Sequence, residues 1–281
     1  MAWNDLSSNQ MVSFTDAQGG GFTLNAGQVG VTSSQCMDKT AALAKYDLNS
    51  ANMSAYASNQ LVPKSDWVSA APPIYINTGS GAEASFRSVN VPYPSGTILN
   101  GDFIMLHVIS NSTISIPSGF TQLETDTIIN SKVYGVYYRF ANGSEGGTSV
   151  SVFSALANQI FGVIIQYRNV NTTTPFYQYS PINYTTNIST MIGNSVNMVP
   201  IASNTLGVIV WLFPKGPSSI SSVNAGTWSY NGGPSGAVTL NTIVSANRLF
   251  ATAGSTGGTA TINLTSAANG GRVLNILLRK A

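Results

Sequence analysis

Pro117-Ser118-Gly119-Phe120-Thr121, Tyr137-Tyr138-Arg139-Phe140-Ala141, Asn142-Gly143-Ser144-Glu145 and Ile164-Ile165-Gln166-Tyr167-Arg168-Asn169-Val170 follow one another within residues 117–170. Each apolar run is short, and each is bounded by Gly, Ser, Asn or Pro. That pattern reads as consecutive antiparallel strands joined by tight turns. Nothing in it has the residue types of a reaction centre, so the chain reads first as a binding or building module.

Working outward, strands are predicted at 85–91, 102–110, 120–127, 132–140, 148–153, 159–168, 195–201, 205–213, 227–230, 237–244, 248–253, 259–264 and 272–279. Asn100-Gly101, Asn142-Gly143, Asn231-Gly232-Gly233 and Asn269-Gly270-Gly271 supply turns between them. Many short strands at such spacing predict a mainly β fold, a jelly-roll-like antiparallel β-sandwich over residues 75–281. The fully apolar runs 103–109, 161–165 and 208–213 are predicted as central strands, because a strand covered on both faces need not alternate.

Residues 1–70 differ. They hold Asp5, Asp16, Asp38, Asp47 and Asp66, half of the chain's 10 acidic residues. Two short helices are predicted, one after a cap at Asp38 running to Tyr46 and one from Ser50 to Ala57, since a short oxygen side chain accepts a free first-turn amide. Ser8-Asn9-Gln10-Met11-Val12 before Asp16 is echoed by Ser58-Asn59-Gln60-Leu61-Val62 before Asp66, which would frame the helices with two similar strands. The expected unit is a small α+β anchor segment. Pro72-Pro73 breaks helix and ladder alike and marks the boundary.

Charged residues are 8% of the chain, against about 25% in an average soluble domain. Ser, Thr, Asn and Gly make up the difference. A neutral polar surface is weakly protected against association, so a homo-oligomer is expected, with a trimer the first choice. The net charge of +2 gives no electrostatic reason for a nucleic-acid partner. No acid follows Glu145, and the bases beyond it are scattered. Cys36 is the sole cysteine, so no disulfide forms within the chain, and a buried structural thiol is expected there. The N-terminus lacks the basic start and apolar run of a secretory signal. No apolar run approaches the roughly 20 residues of a membrane-spanning helix.

Catalytic chemistry finds little footing. One Cys and one His do not furnish a zinc site, so no metal or cofactor is expected. His107 lies in an apolar run and reads as a hydrogen-bonded core residue; no Gly-x-Ser-x-Gly elbow accompanies it. Glu124 and Asp126, two apart, would share a strand face, a geometry that permits a paired carboxylate site or calcium ligand, though an exposed polar strand edge is the preferred reading. Aromatics gather in two segments read as loops. Tyr177, Tyr179 and Tyr184 lie in one, Trp228 and Tyr230 in the other. Rings beside Asn and Ser suit sugar recognition, by stacking and hydrogen bonding, so these five are the candidate glycan platform. Packing of loops onto the sandwich, or filling of a subunit contact, is the competing reading and the preferred one for each ring taken singly.

Two resemblances bear on function. Ser8–Val12, Gln35-Cys36-Met37, Leu43-Ala44-Lys45-Tyr46 and Ser54–Val62 make residues 8–68 resemble an N-terminal module of phage and prophage structural proteins of Bacteroidetes. The Pro-Ser-Gly-Phe-Thr, Tyr-Tyr-Arg, Gly-Ser-Glu and Tyr-Arg-Asn-Val segments make residues 97–170 similar to β-sandwich modules of phage tail fibres and bacterial surface proteins. The resemblances imply a non-enzymatic virion protein, contacting other virion proteins through residues 1–70. Its β domain would be displayed as a fibre, spike or vertex component, with host attachment through a surface glycan as a possible role. A capsid-building vertex or penton subunit is the alternative, and a carbohydrate-active depolymerase the alternative of another class.

Overall fold

The computed structural model describes residues 36–38, 61–63, 71–156, 159–194, 198–214, 220–232 and 241–281. The chain divides into two compact units, Met1–Ala71 and Pro72–Ala281. In the first, β1 (Cys36–Asp38) pairs antiparallel with β2 (Leu61–Pro63), Met37 opposite Val62. The Cys36 side chain, both predicted helices beyond Asp38, and the first copy of the echo lie outside the described residues. Asp38, expected as a helix cap, is the last residue of β1.

In the second unit the strands are β3 (Ile74–Thr78), β4 (Ala82–Ala84), β5 (Ser88–Pro92), β6 (Phe103–Ser110), β7 (Ile114–Ser115) and β8 (Thr121–Gln122). They continue with β9 (Thr127–Ile129), β10 (Lys132–Phe140), β11 (Ser149–Ser154), β12 (Ile160–Arg168), β13 (Phe176–Gly193) and β14 (Thr205–Phe213). The last are β15 (Ile220–Asn224), β16 (Ser229–Gly232), β17 (Thr242–Phe250) and β18 (Ala260–Leu278). They form three open antiparallel sheets. A large one runs β3-β12-β6-β10-β8, with β4 beside β12 and β9 beside β10. A small one runs β5-β11-β7, and a third runs β13-β18-β14-β17-β16, with β15 beside β18.

The expected fold class, a jelly-roll-like sandwich with an α+β anchor, is therefore corrected in its β unit, while the two helices of the anchor fall outside the described residues. The β unit stacks three sheets where two were expected, and among the described residues there is no helix. The physical reason lies in β6, β12 and β14, which are buried along nearly their whole length. Successive side chains on a strand point to opposite faces. Phe103, Met105 and Ile109 of β6 thus join Phe161, Val163 and Ile165 of β12 in a core shared with Val208, Val210 and Leu274 of the third sheet. Ile104, Leu106 and Val108 point the other way, to Val89, Val91 and Val152 of the small sheet. A two-sheet sandwich has no place for strands that are apolar on both faces; a third layer supplies it.

The third sheet has its own outer core, made by β13 and β18 folding back. These two pair along almost their full length, with register shifts near Tyr184–Asn187 and Ile188–Thr190. Their far ends return over β14, where Gly193 lies so close to Ile209 that a Cβ there would meet its Cγ2 at 2.4 Å. Met191, Trp211, Trp228, Phe250 and Ile262 fill the space enclosed. The bend is fastened from the large sheet. Asn130 and Ser131, with φ of 47° and 64°, make the tight left-handed turn joining β9 to β10. The Asn130 amide donates to Thr185 O at 2.8 Å and Asn269 Oδ1 at 3.0 Å.

Gly162 sets the approach of the small sheet to the large one: a Cβ there would lie 2.5 Å from Val91 Cγ2. Gly162→Ala is expected to destabilise the chain by about 1–3 kcal/mol through overpacking, read from urea denaturation. Combined with Val91→Ala, the cost should fall short of the sum of the two single changes. An additive pair would show that the two residues do not meet.

Candidate functional site

The described residues hold three salt bridges, and each one ties chain segments together. Asp102, just before β6, is 1% exposed. Its carboxylate accepts from Arg168 Nε at 2.7 Å and Nη2 at 2.8 Å, Gln166 Nε2 at 2.7 Å and the Leu99 amide at 2.8 Å. Burial pushes the Asp102 pKa up, but these hydrogen bonds and the Arg168 charge outweigh it and hold the group below the ordinary carboxylate value. Arg272 of β18 is 1% exposed and reaches Glu124, in the loop between β8 and β9, at 2.6 Å. It joins the third sheet to the edge of the large one. An uncompensated charge at Arg272 would be costly, and Glu124 supplies the compensation.

The third bridge builds a groove. Pro117–Phe120 forms a turn, Phe120 N donating to Pro117 O at 3.0 Å with Gly119 at φ 77°. Phe120 is thereby packed into the core under Arg139, whose guanidinium carbon lies 5.7 Å from the ring centre. Arg139 Nη2 donates to Glu145 at 2.9 Å. The Glu145 carboxylate also accepts the amides of Asn142 and Gly143, each at 2.9 Å, which closes the turn between β10 and β11. Asn142 Oδ1 accepts from Ser144 N at 3.0 Å. Tyr93 OH accepts Arg139 Nη1 at 3.4 Å. Burial raises the Tyr93 pKa, partly offset by the Arg139 charge, so it remains a neutral phenol.

Between this turn and the outer face of the small sheet lies a groove of about 670 Å³. Its floor and walls combine Tyr93, Arg139 and Glu145 with Ser149, Ser151 and Phe153 of β11, and Ile116 stands at the rim. Phe153 and Ile116 are 51% and 54% exposed. On β11 the residues alternate exposed and buried, so Ser149, Ser151 and Phe153 share the outward face. Ser151 Oγ pairs with Asn90 Oδ1 of β5 at 2.7 Å. Among the described residues, Arg139 and Glu145 are the only charged ones lining the groove, and they neutralise each other.

The five aromatics expected to form one glycan platform lie apart. Tyr177, Tyr179 and Tyr184 are on β13, at one edge of the third sheet, while Trp228 and Tyr230 lie at or beside β16, at the other edge. The segment read as a proline-broken loop is the strand β13, and Pro181 is tolerated because an edge strand needs only one ladder. Tyr179 donates to Glu124, and burial pushes its pKa well above the ordinary tyrosine value. Tyr177 is covered by the Arg279 guanidinium, 4.2 Å above its ring. Tyr184 OH accepts the Ile192 amide at 3.0 Å across the bend. Trp228 is 4% exposed, its indole N–H shared between Gly257 O at 3.0 Å and Gly258 O at 3.1 Å. Tyr230, 38% exposed, is the most open of the five, and burial still raises its pKa.

Glu124 and Asp126 do not form a pair facing a cleft. Asp126 accepts from Gln122 Nε2 at 2.8 Å and Tyr137 OH at 2.9 Å, while Glu124 is committed to Arg272 and Tyr179. Among the described residues no three His, Cys, Asp or Glu side chains gather as metal ligands, and no helix is long and apolar enough to cross a membrane.

His107 is 0% exposed. It faces the core between the large and third sheets, on the same side of β6 as Met105 and Ile109. The hydrogen bond expected of a core histidine is missing: neither ring nitrogen has a partner. Burial lowers its pKa to about 3. Its unfolded value is about 6.5, so the unfolded state takes up the proton first as pH falls. The neutral ring's contribution is complete above about pH 6.5 and is lost as pH drops toward 3. Stability should fall by about 2 kcal/mol between pH 7 and pH 5, and His107→Leu should remove most of that slope in urea titrations. An unchanged slope in the variant would place the titration elsewhere.

Comparison of the chain with protein-family models, with characterised proteins and with solved structures finds no match.

Proposed function

We propose that the protein is a structural and adhesive component of a bacteriophage particle. Residues 1–70 join it to other virion proteins, and the three-sheet unit is displayed, in several copies, on the particle surface. The observation that carries this reading is how the ionic groups are used. Asp102, Glu124 and Glu145 each hold a guanidinium that ties segments together, and the outer face of the small sheet is left to Ser, Asn and an open groove. A stiff scaffold with a neutral, grooved face suits contact with a surface better than it suits acid–base chemistry, in which a carboxylate must be free to exchange a proton. The carboxylates Glu124 and Asp126, which a depolymerase would employ, are both engaged by neighbouring side chains.

A shell-building vertex role is a second reading with its own support. Phe86, Ile128 and Ile201 are 73%, 70% and 74% exposed, and a lateral neighbour in a shell would cover them. Position on the particle separates the two readings. Antibodies raised against the full chain, gold-labelled and viewed on intact particles by electron microscopy, should decorate projections for the adhesive role. Labelling flush with the shell vertices favours the building role. Particles that contain the chain by mass spectrometry yet bind no antibody would contradict surface display.

A further inference from the structure

We infer that the groove between the Asn142–Glu145 turn and the outer face of β11 is a binding site for a neutral oligosaccharide. The inference rests on the adhesive reading above and moves the glycan site away from the aromatics of β13 and β16 to the opposite side of the unit's layered stack.

Four features of the groove converge on that ligand. The first is size: about 670 Å³ lies within the usual range of about 300–1,000 Å³ for small-ligand sites. The second is shape. Ser149, Ser151 and Phe153 point outward at successive two-residue steps, so the row spans roughly 13 Å along the strand. That is a track for several linked sugar rings in place of a pit for one compact group.

The third feature is the division of the lining into polar and apolar parts. The Ser149 hydroxyl and the Asn142 Nδ2 group offer donors, and the Ser144 and Ser151 oxygens, whose protons go to Asn142 and Asn90, offer acceptors. Phe153 and Ile116, each more than half exposed, offer an apolar wall. A pyranose ring has a hydroxyl rim and a C–H face, and needs both. An aromatic face packed on the C–H face supplies the gain in affinity, since hydroxyl hydrogen bonds largely replace those made to water.

The fourth is charge. Arg139 is neutralised by Glu145 at 2.9 Å and further held by Tyr93 and by the ring of Phe120. A phosphate, sulfate or uronate would meet no uncompensated cation here. The guanidinium is fixed in place, so its free N–H groups can meet a hydroxyl without first being ordered, which lowers the cost of binding. Glu145 is fully engaged by Arg139 and two backbone amides, so it orients the arginine without attacking the ligand.

The test uses the purified full-length chain on a glycan array carrying neutral, sialylated and sulfated oligosaccharides, followed by titration calorimetry with the best neutral binder. Binding to one or more neutral glycans is expected, with little change between low and high salt. Phe153→Ala should weaken it by about tenfold or more, and Ser151→Trp, which fills the track, should abolish it. Both positions are exposed, so thermal unfolding of the two variants should match the parent. Tyr230→Ala, at the far edge of the third sheet, should bind as the parent does.

Binding confined to acidic glycans, no binding at millimolar neutral glycan, or binding undiminished in both groove variants would overturn the proposal. Loss of binding in Tyr230→Ala with retention in Phe153→Ala would return the site to β16. Gold labelling of particle projections without any neutral-glycan binding would refute this site and leave the virion reading intact. Groove-dependent binding by a chain missing from particles would do the reverse.

Discussion

Burial of β6, β12 and β14 on both faces is the constraint from which the rest of the β unit follows. A strand hydrogen-bonded on both sides and apolar on both faces must be enclosed by two further layers. The small sheet covers β6 and β12 from one side with Val89, Val91 and Val152. The third sheet covers them from the other with Val208, Val210 and Ile276. The third sheet then faces the same problem on its own outer side, where Ile209, Trp211 and Phe213 point. It is solved within the sheet by folding back β13 and β18. Layer upon layer, the arrangement ends where a sheet can afford a polar outer face, as the small sheet does with Ser88, Asn90, Ser149 and Ser151.

The few charges take their meaning from that stack. In a chain with so little charge, each ion pair is placed where apolar packing alone leaves segments untied. Arg168–Asp102 secures the loop that leads into β6 to the end of β12. Arg272–Glu124 spans two sheets. Arg139–Glu145 holds the turn that walls the groove. The proposed ligand site is a by-product of the same economy: with its one cation spent on its one anion, the groove has only hydroxyls, amides and exposed apolar surface to offer.

Strands were legible wherever periodicity was strong and chain reversal was marked. The runs 132–140 and 205–213 emerge as β10 and β14 with the predicted bounds. The layer count was not, although the signal existed: three runs too apolar for any strand of a two-sheet sandwich. β13 was hidden by Pro175 and Pro181, because a local pattern does not reveal that a strand will lie at an edge. Asn269-Gly270-Gly271 looked like a reversal, yet β18 continues through it as a bend, with Gly270 at φ 81°. The aromatic residues misled for a related reason. A ring near Asn and Ser is equally at home capping a core, as Trp228 is, or receiving a guanidinium, as Tyr177 is. The groove draws on Arg139, Glu145 and Phe153, which the opening stretch already contained, but also on Tyr93 from well before it, and only the fold unites them.

The three layers stand or fall together if the doubly buried strands bind them. Native-state hydrogen exchange on the full chain, followed residue by residue through increasing denaturant, measures this directly. Amides of β6, β12 and β14 should open with one common free energy, equal to that of global unfolding. Exchange of β14 through a separate and cheaper opening, while β6 and β12 stay closed, would contradict the account by showing that the third sheet is an appendage to an independently stable sandwich.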